Sequence, residues 1–236
     1  MRIVSTFNPA SWDAFVKRNI LSWLEHTQCE IVVYHEGDQP PLEHPRLIWR
    51  QWEDIPGAVA FHDEAKRFPP ACGRFDQYDY NYDADKFARK VWAQCDAAQE
   101  ETDYLVWLDS DVEILRDINT GLIESEINGM PIATYFRPGY HAECGVVIWD
   151  MQMPATIKFF LAYFNLYKSR NIYKLQRGWH DCWALDYVVY ALQLPTTNLG
   201  KGGDFTSPHY QMLDVIPGST MGHYLRHDKG GRKNAA

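Results

Sequence analysis

The sequence opens with a strand pattern, a helix pattern and a second strand pattern in close succession. Residues 2–7 are predicted to form a first buried strand and residues 30–34 a second strand, and the first of them ends at the turn signal Asn8-Pro9. Between the two strands, apolar residues recur at helical spacing after Ser11, which we expect to cap the helix. Strands that are joined by a helical crossover pair in parallel. This opening therefore predicts an α/β fold with a mostly parallel central sheet flanked by helices.

The later part of the chain repeats these patterns. Further strands are predicted at 46–52, 104–108, 132–136 and 145–149, and helices at 83–100, 155–168 and 181–192. Two stretches have no clear period: residues 53–82, which we interpret as a long lid or binding loop, and the Gly-rich part from Pro195 onward, which we expect to be mostly irregular. A length of 236 residues fits one domain of this class, so we expect residues 1–236 to form a single domain.

Composition and charge disfavour several classes of function. The formal net charge is −8 with no block of like charges, which disfavours a protein that grips nucleic acid through many phosphates. The five cysteines form no CxxC pair and Met1 leads directly into a strand pattern, so we expect a cytoplasmic protein with free thiols. No apolar stretch approaches the ~18 residues of a membrane span. The 14% aromatic share suits a core and also surfaces on which sugars stack.

Asp109-Ser110-Asp111 directly follows the apolar run at 104–108. Ligands of open α/β sheets bind at the carboxyl ends of the strands, where these two carboxylates would lie. Mg²⁺ or Mn²⁺ prefers such oxygen ligands and commonly bridges them to a substrate diphosphate. A second copy of the spacing, Asp83-Ala84-Asp85, opens a predicted helix and is better explained as a helix cap. The first copy therefore predicts a metal site, with a solvated strand end as the alternative.

The segment from His227 to Lys233 reads His-Asp-Lys-Gly-Gly-Arg-Lys. An imidazole can complete a metal shell that two carboxylates begin, and a lysine can neutralise a phosphate oxygen. The alternative is a disordered basic tail. Together with the aspartates, the segment is better explained as a flap at 227–236 that closes on a bound nucleotide.

These motifs resemble those of GT-A fold glycosyltransferases, in particular the glycogenin-like and retaining galactosyltransferase family. That family has an aromatic-x-Arg element, a strand that ends in DxD and an HxxGxxK motif, and this chain has Phe87-Ala88-Arg89, Asp109-Ser110-Asp111 and His227 to Lys233 in the same order. The chain is also similar to small, mostly uncharacterised bacterial and phage glycosyltransferases, which share the element at Trp179-His180-Asp181-Cys182. The resemblance runs from about Tyr80 to Lys233.

The resemblance implies a Rossmann-like GT-A domain that moves a sugar from a nucleotide-sugar, expected to be UDP-linked, to an acceptor, with Mn²⁺ or Mg²⁺ as cofactor. It implies that Asp109, Asp111 and His227 hold the metal. The implied donor-binding residues are Thr6, Phe7 and Asn8 at the base or ribose, Arg89, Lys90 and Lys233 at the diphosphate, Gly145 at the donor sugar, and Ser110 and Gly230 within the two motifs. From the residues alone, Arg89 and Lys90 could equally face solvent and the Glu143-Cys144-Gly145 element could be a strand-entry turn.

Asp181 has two interpretations. At the start of a predicted helix it could be an N-cap. By resemblance it is the catalytic candidate, because the family places an Asp-Gln pair beside the reacting carbon. Here Cys182 replaces the glutamine, which leaves open whether Asp181 orients the acceptor in a retaining enzyme or acts as general base in an inverting one.

Other functions compete with transfer. One is a non-catalytic binder of nucleotide-sugars or carbohydrates, and another is a sugar-nucleotide pyrophosphorylase, although Asn8-Pro9 lacks the Gly-rich basic loop that such enzymes carry after the first strand. A zinc hydrolase is disfavoured by the missing HExxH signature. The acceptor stays open among glycans, proteins, lipid-linked sugars and modified nucleobases.

Overall fold

A computed structural model describes residues 1–137, 139–200 and 215–228. Nine strands lie within these ranges: β1 (Arg2–Thr6), β2 (Glu30–His35), β3 (Leu47–Gln51), β4 (Tyr104–Leu108), β5 (Val112–Ile114), β6 (Ile132–Tyr135), β7 (Glu143–Asp150), β8 (Thr196–Asn198) and β9 (Leu225–His227). The same ranges contain six α-helices: α1 (Lys17–His26), α2 (Ala58–Arg67), α3 (Ala84–Ala97), α4 (Thr120–Ile127), α5 (Pro154–Lys168) and α6 (Asp181–Ala191).

The main sheet has seven strands in the order β3-β2-β1-β4-β7-β6-β8. Strand β7 runs antiparallel to both of its neighbours, and all other pairs are parallel. The predicted α/β class with a mostly parallel central sheet is therefore confirmed. Because β7 is reversed, it begins at the same edge of the sheet where β1, β2 and β4 end.

Helices cover both faces of this sheet because its central strands carry apolar side chains on both faces. Val4 of β1 and Trp107 of β4 belong to one buried cluster, to which α2, α3, α5 and α6 contribute. Ile3 and Val106, from the same two strands, belong to a second cluster with α1 and α4. The first strand pattern is continuous rather than alternating for this reason: both of its faces are buried.

The structure departs from the sequence predictions of local structure at three places. Residues 53–82 contain helix α2, whose buried residues Ala58, Phe61 and Ala65 form a stripe of only three side chains in a stretch that we predicted to be a loop. The part from Pro195 onward contains β8 and β9, which are three residues long and carry little periodicity. Ser11 caps nothing with its side chain. Asn8 instead accepts from the amide of Ala10 and opens a 3-10 turn (Pro9–Ser11) that leads through a π-helical turn (Trp12–Val16) into α1.

Strands β5 and β9 form a separate two-stranded antiparallel sheet. Its register places Val112 directly opposite His227, so the residue after Asp111 faces the last residue of β9. The tail segment therefore begins as an ordered strand at His227.

Among the described helices, none has the length and apolar character that crossing a membrane requires. All five cysteines are free thiols.

Candidate active site

A cleft of about 980 Å³ opens where β1, β2 and β4 end and β7 begins. The carboxyl edge of a parallel sheet is where α/β proteins place ligands, because strand ends and loops leave a crevice there. Most of the residues predicted for the site line this cleft: Thr6, Phe7, Asn8, Arg89, Lys90, Asp109, Ser110, Asp111, Gly145 and Asp181. Gly230 and Lys233, which were also predicted, lie outside the described residues.

Asp109, Asp111 and His227 come together at this edge of the sheet. One ligand atom from each lies within 4.8 Å of the others. The Nε2 atom of His227 is 3.2 Å from Oδ1 of Asp111. Only 9% of Asp111 and 3% of His227 is exposed. The pairing of β9 with β5 produces this geometry, and the amide of Asp228 adds a hydrogen bond of 2.8 Å to the carbonyl of Asp111.

These three residues fit a divalent cation. Two carboxylates and an imidazole are ligands that Mn²⁺ accepts, and Mg²⁺ accepts the two carboxylates. Burial raises the pKa of Asp109, as do the charges of Asp111 and Asp181, although Lys90 opposes them. A cation would relieve this repulsion between neighbouring carboxylates.

Gly145 lies against the same cluster. A Cβ atom at this position would be 3.3 Å from Cε1 of His227 and 3.6 Å from Oδ2 of Asp109. The first of these contacts is tighter than most side chains tolerate, so glycine allows β7 to pass close to the imidazole. The carbonyl of Gly145 also accepts the amide of Asp109 at 2.8 Å. The backbone of β7 therefore supports the first aspartate directly.

Lys90 is buried and joins two carboxylates of the site. Its Nζ donates to Oδ1 of Asp109 at 2.8 Å, lies 2.9 Å from Oδ2 of Asp181, and also donates to the carbonyl of Cys144. Burial alone would lower the pKa of Lys90, but the two carboxylates outweigh it and raise that pKa well above its ordinary value. The solvent-facing interpretation of Lys90 is therefore wrong: the residue is a buried cation at the centre of the cleft.

Asp181 is the first residue of α6 but does not cap it. His180 is the cap, since its Nδ1 atom accepts from the amide of Cys182 at 3.2 Å. Asp181 is buried, and although burial raises its pKa, the charge and the hydrogen bond of Lys90 contribute most to an opposing effect that leaves the pKa below its ordinary value. The cap interpretation is wrong, and the structure shows an ionised carboxylate held by Lys90.

Arg89 occupies a different part of the cleft. Its Nε atom is 2.9 Å from Oε1 of Glu36, just after β2, and its guanidinium lies 5.5 Å from the centroid of the Trp52 ring. Glu36 also lines the cleft. Arg89 is thus neither free in solvent nor in contact with the carboxylates that bind Lys90.

The end of β1 forms the wall beside Glu36. Thr6 donates from its hydroxyl to the carbonyl of Tyr34 at 3.0 Å, and the side chain of Asn8 is engaged in its turn. The ring of Phe7 is buried against Trp12 and Trp49, with centroids 5.8 and 6.2 Å away. Phe7 thus lies in an aromatic cluster at the wall of the cleft.

Sequence reasoning missed two histidines that line the cleft, His141 and His180. Their ring centroids are 4.6 Å apart. Burial lowers the pKa of His141, and it lowers the pKa of His180 to about 4, so both rings are neutral near pH 7. Because Nδ1 of His180 accepts a hydrogen bond, its proton resides on Nε2, which has no partner among the described residues. His180 lies in the Trp179-His180-Asp181-Cys182 element, which was a signal for it, whereas no motif marks His141.

Asp186 lies beside the cleft and has a raised pKa that can be tested. Its Oδ2 atom accepts from the amide of Ala142 at 2.9 Å, while burial raises its pKa from 3.8 to about 6. The folded chain therefore binds this proton more tightly than the unfolded chain, and Asp186 contributes stability at low pH that is lost as the pH rises to about 6.

We expect Asp186→Asn to remove the loss of stability that Asp186 causes as the pH rises to about 6. Relative to the unaltered protein, the free energy of unfolding of the variant should rise by about 2–3 kcal/mol between about pH 4 and pH 6. Urea denaturation at several pH values measures this difference. His180 has the opposite effect, because the protein loses stability as the pH falls towards the His180 pKa of about 4. This contribution is the same in both proteins, so it cancels in the difference between their free energies of unfolding. A difference that does not change with pH would contradict the assignment.

Comparison with solved structures finds this architecture in glycosyltransferases. The chain matches galactosyltransferase LgtC, solved with donor and acceptor sugar analogues, with a TM-score of 0.52 at 12% identity over 98% of this chain and 88% of that chain. It matches the bifunctional glycosyltransferase WbbM with a TM-score of 0.55 at 14% identity, over 98% of this chain and 46% of that one. The glycosyltransferase GlyE of Streptococcus pneumoniae TIGR4 matches with a TM-score of 0.51 at 11% identity, over 98% of this chain and 55% of that chain.

The chain has the GT-A fold. The fold that the motifs predicted is confirmed. No protein-family model matches the sequence, and no curated protein matches it. At these identities the GT-A fold is what the comparisons establish, and the chemistry must be argued from the cleft itself.

Proposed function

We propose that this chain is a glycosyltransferase that moves a sugar from a UDP-sugar to an acceptor, with Mn²⁺ or Mg²⁺ held by Asp109, Asp111 and His227. The observation that carries the proposal is the convergence of these three residues, within 4.8 Å of one another, at the carboxyl edge of a GT-A sheet. The five free cysteines fit a reducing compartment, and we propose that the enzyme works in the cytoplasm as a single domain.

The cleft has room for the donor. Its volume of about 980 Å³ falls at the upper end of the usual range for small-molecule sites. Thr6, Asn8 and Glu36 line the end near β1 and β2, which we assign to the base and ribose, while Gly145 adjoins the metal ligands at the other side. When bound, a divalent cation would stabilise negative charge on the departing diphosphate. We assign Lys90, Arg89 and Lys233 to the same diphosphate, with Gly230 in the same motif as Lys233.

Asp181 is the residue we assign to the reacting carbon. Its carboxylate lines the cleft and is fixed by Lys90 at 2.9 Å, so its position is set before substrate arrives. An ion-paired carboxylate with a lowered pKa is a weak base, which supports an electrostatic and orienting role over proton abstraction. The Nε2–H of His180 is available to a hydroxyl of the bound sugar.

Titration of UDP with and without Mn²⁺ tests the metal site. We expect Mn²⁺ to tighten UDP binding by at least about tenfold, because the cation would bridge the diphosphate to Asp109 and Asp111. Mass spectrometry of reactions with a panel of UDP-sugars should show release of UDP from at least one donor. EDTA should abolish this release, and added Mn²⁺ should restore it. Equal affinity for UDP with and without metal would reject the metal site. Metal-dependent binding without turnover of any donor would indicate a non-catalytic binder.

A further inference from the structure

Helix α6 carries a row of aromatic side chains on its outer face. Trp183, Tyr187 and Tyr190 are spaced four and three residues apart, which places them on one side of the helix. Tyr187 is 48% exposed and Tyr190 is 84% exposed. The opposite side of α6 is buried in the core through Leu185 and Val188. Large aromatic side chains that gather on a surface mark an interaction site more often than scattered ones do.

These three side chains line a groove of about 410 Å³. Two charged side chains, Asp186 and Arg177, also line it, and the guanidinium of Arg177 lies 5.4 Å from the centroid of the Trp183 ring. The groove thus combines flat apolar rings with a carboxylate, a guanidinium and phenol hydroxyls. Such a lining can contact an apolar face and hydrogen-bond a rim of hydroxyls at the same time.

The groove adjoins the cleft. Tyr140 lines both of them. Helix α6 begins at Asp181 in the cleft, and a rise of 1.5 Å per residue places Tyr190 roughly 13 Å farther along the helix axis. A ligand that reaches from the reacting carbon to Tyr190 must therefore be elongated.

We propose that the groove binds the saccharide of the acceptor, and that the acceptor is an oligosaccharide or carries one. Sugar rings have apolar C–H faces that stack on aromatic rings and hydroxyls that pair with charged side chains. A nucleic acid could also stack, but its phosphates need several cations, and Arg177 is the only basic side chain lining the groove among the described residues. Naming the occupant as acceptor rests on the proposed function, whereas saccharide binding does not.

Binding of cellotetraose, maltotetraose and lacto-N-tetraose, measured by saturation-transfer NMR without donor or metal, tests the groove. We expect at least one of them to bind, and we expect the double variant Tyr187→Ala/Tyr190→Ala to weaken that binding by roughly tenfold for each ring removed. Tyr187→Phe/Tyr190→Phe keeps the ring faces and should retain most of the affinity. The matched control is Ile157→Ala/Leu161→Ala on α5, which removes side chains of 53% and 60% exposure from another surface and should change nothing.

Three outcomes would overturn the proposal: no tetrasaccharide binds, the double alanine variant binds as well as the unaltered protein, or size-exclusion chromatography shows that the tyrosines instead join two copies of the chain. Hydrolysis of UDP-sugars by the unaltered protein, measured without saccharide, tests the transferase activity by itself. Failure of the groove and failure of the catalytic proposal can therefore be told apart.

Discussion

Asp111→Asn is expected to reduce turnover of the donor by roughly a thousandfold, because the cation loses a direct anionic ligand that stabilises the charge of the leaving group. Asp111 is almost completely buried and lies 3.2 Å from the imidazole of His227, so the isosteric amide keeps the shape of the site while removing its charge. Steady-state kinetics at saturating Mn²⁺ measure the loss.

The fold of this variant must be shown to persist. We expect far-UV circular dichroism to be unchanged, and we expect UDP with Mn²⁺ to raise the melting temperature of the unaltered protein but not that of the variant. Asp83→Asn is the matched control, because Asp83 belongs to the second copy of the DxD spacing but caps α3 by accepting from the amide of Lys86. Asparagine caps a helix as well as aspartate does, so that variant should remain active. A folded Asp111→Asn protein with near-normal, metal-dependent turnover would falsify the metal assignment.

Truncation of the chain is expected to separate two parts of the tail. A chain that stops after Arg226 loses His227, and we expect its turnover to fall at least as far as that of Asp111→Asn. A chain that stops after Asp228 keeps strand β9 and loses Gly230 and Lys233. We expect it to bind Mn²⁺ and to retain its stability, with turnover reduced by about 10–100-fold because a cation that assists the diphosphate is gone.

The two truncations should also differ in stability. The sequence has no large apolar side chain after residue 226, which predicts a negligible cost for either deletion. The structure changes that prediction, because His227 and Asp228 are buried and Asp228 forms an ion pair with Arg18. We therefore expect the shorter chain to lose about 1–3 kcal/mol of its free energy of unfolding. Full activity of this shorter chain in the same assay would show that the HxxGxxK match is accidental.

The sequence predicted those parts of the site that depend on local pattern. The strand at Tyr104–Leu108 is an apolar run followed by Asp109, and the helix before it has a clear apolar stripe. Both elements therefore followed from periodicity, and the carboxyl end of the strand gave the place of the carboxylates. The burial of Lys90 did not follow. Its partners Asp109 and Asp181 lie on other elements, and a lysine on a helix has the same local pattern whether it meets solvent or two carboxylates.

The reversed direction of β7 was also beyond local reasoning. Its residues are buried on both faces, as they would be in a parallel strand, and the pattern of apolar residues does not encode direction. The role of β9 was equally hidden, because three residues of Leu-Arg-His have no period to read. What revealed His227 was its chemistry in combination with the aspartates.

The two-stranded sheet of β5 and β9 makes the order of folding matter. Arg18 and Asp228, which form an ion pair beside this sheet, are separated by 210 residues. Closing a loop of that length has an entropic cost that must be met before its contacts can form, so long-range pairing of this kind is slow. A chain emerging from the ribosome can assemble β1, β2 and β4 while residue 227 is still unmade. His227, the proposed third ligand, is then made after all the described strands of the main sheet, and the proposed cation site cannot form until β9 has paired with β5.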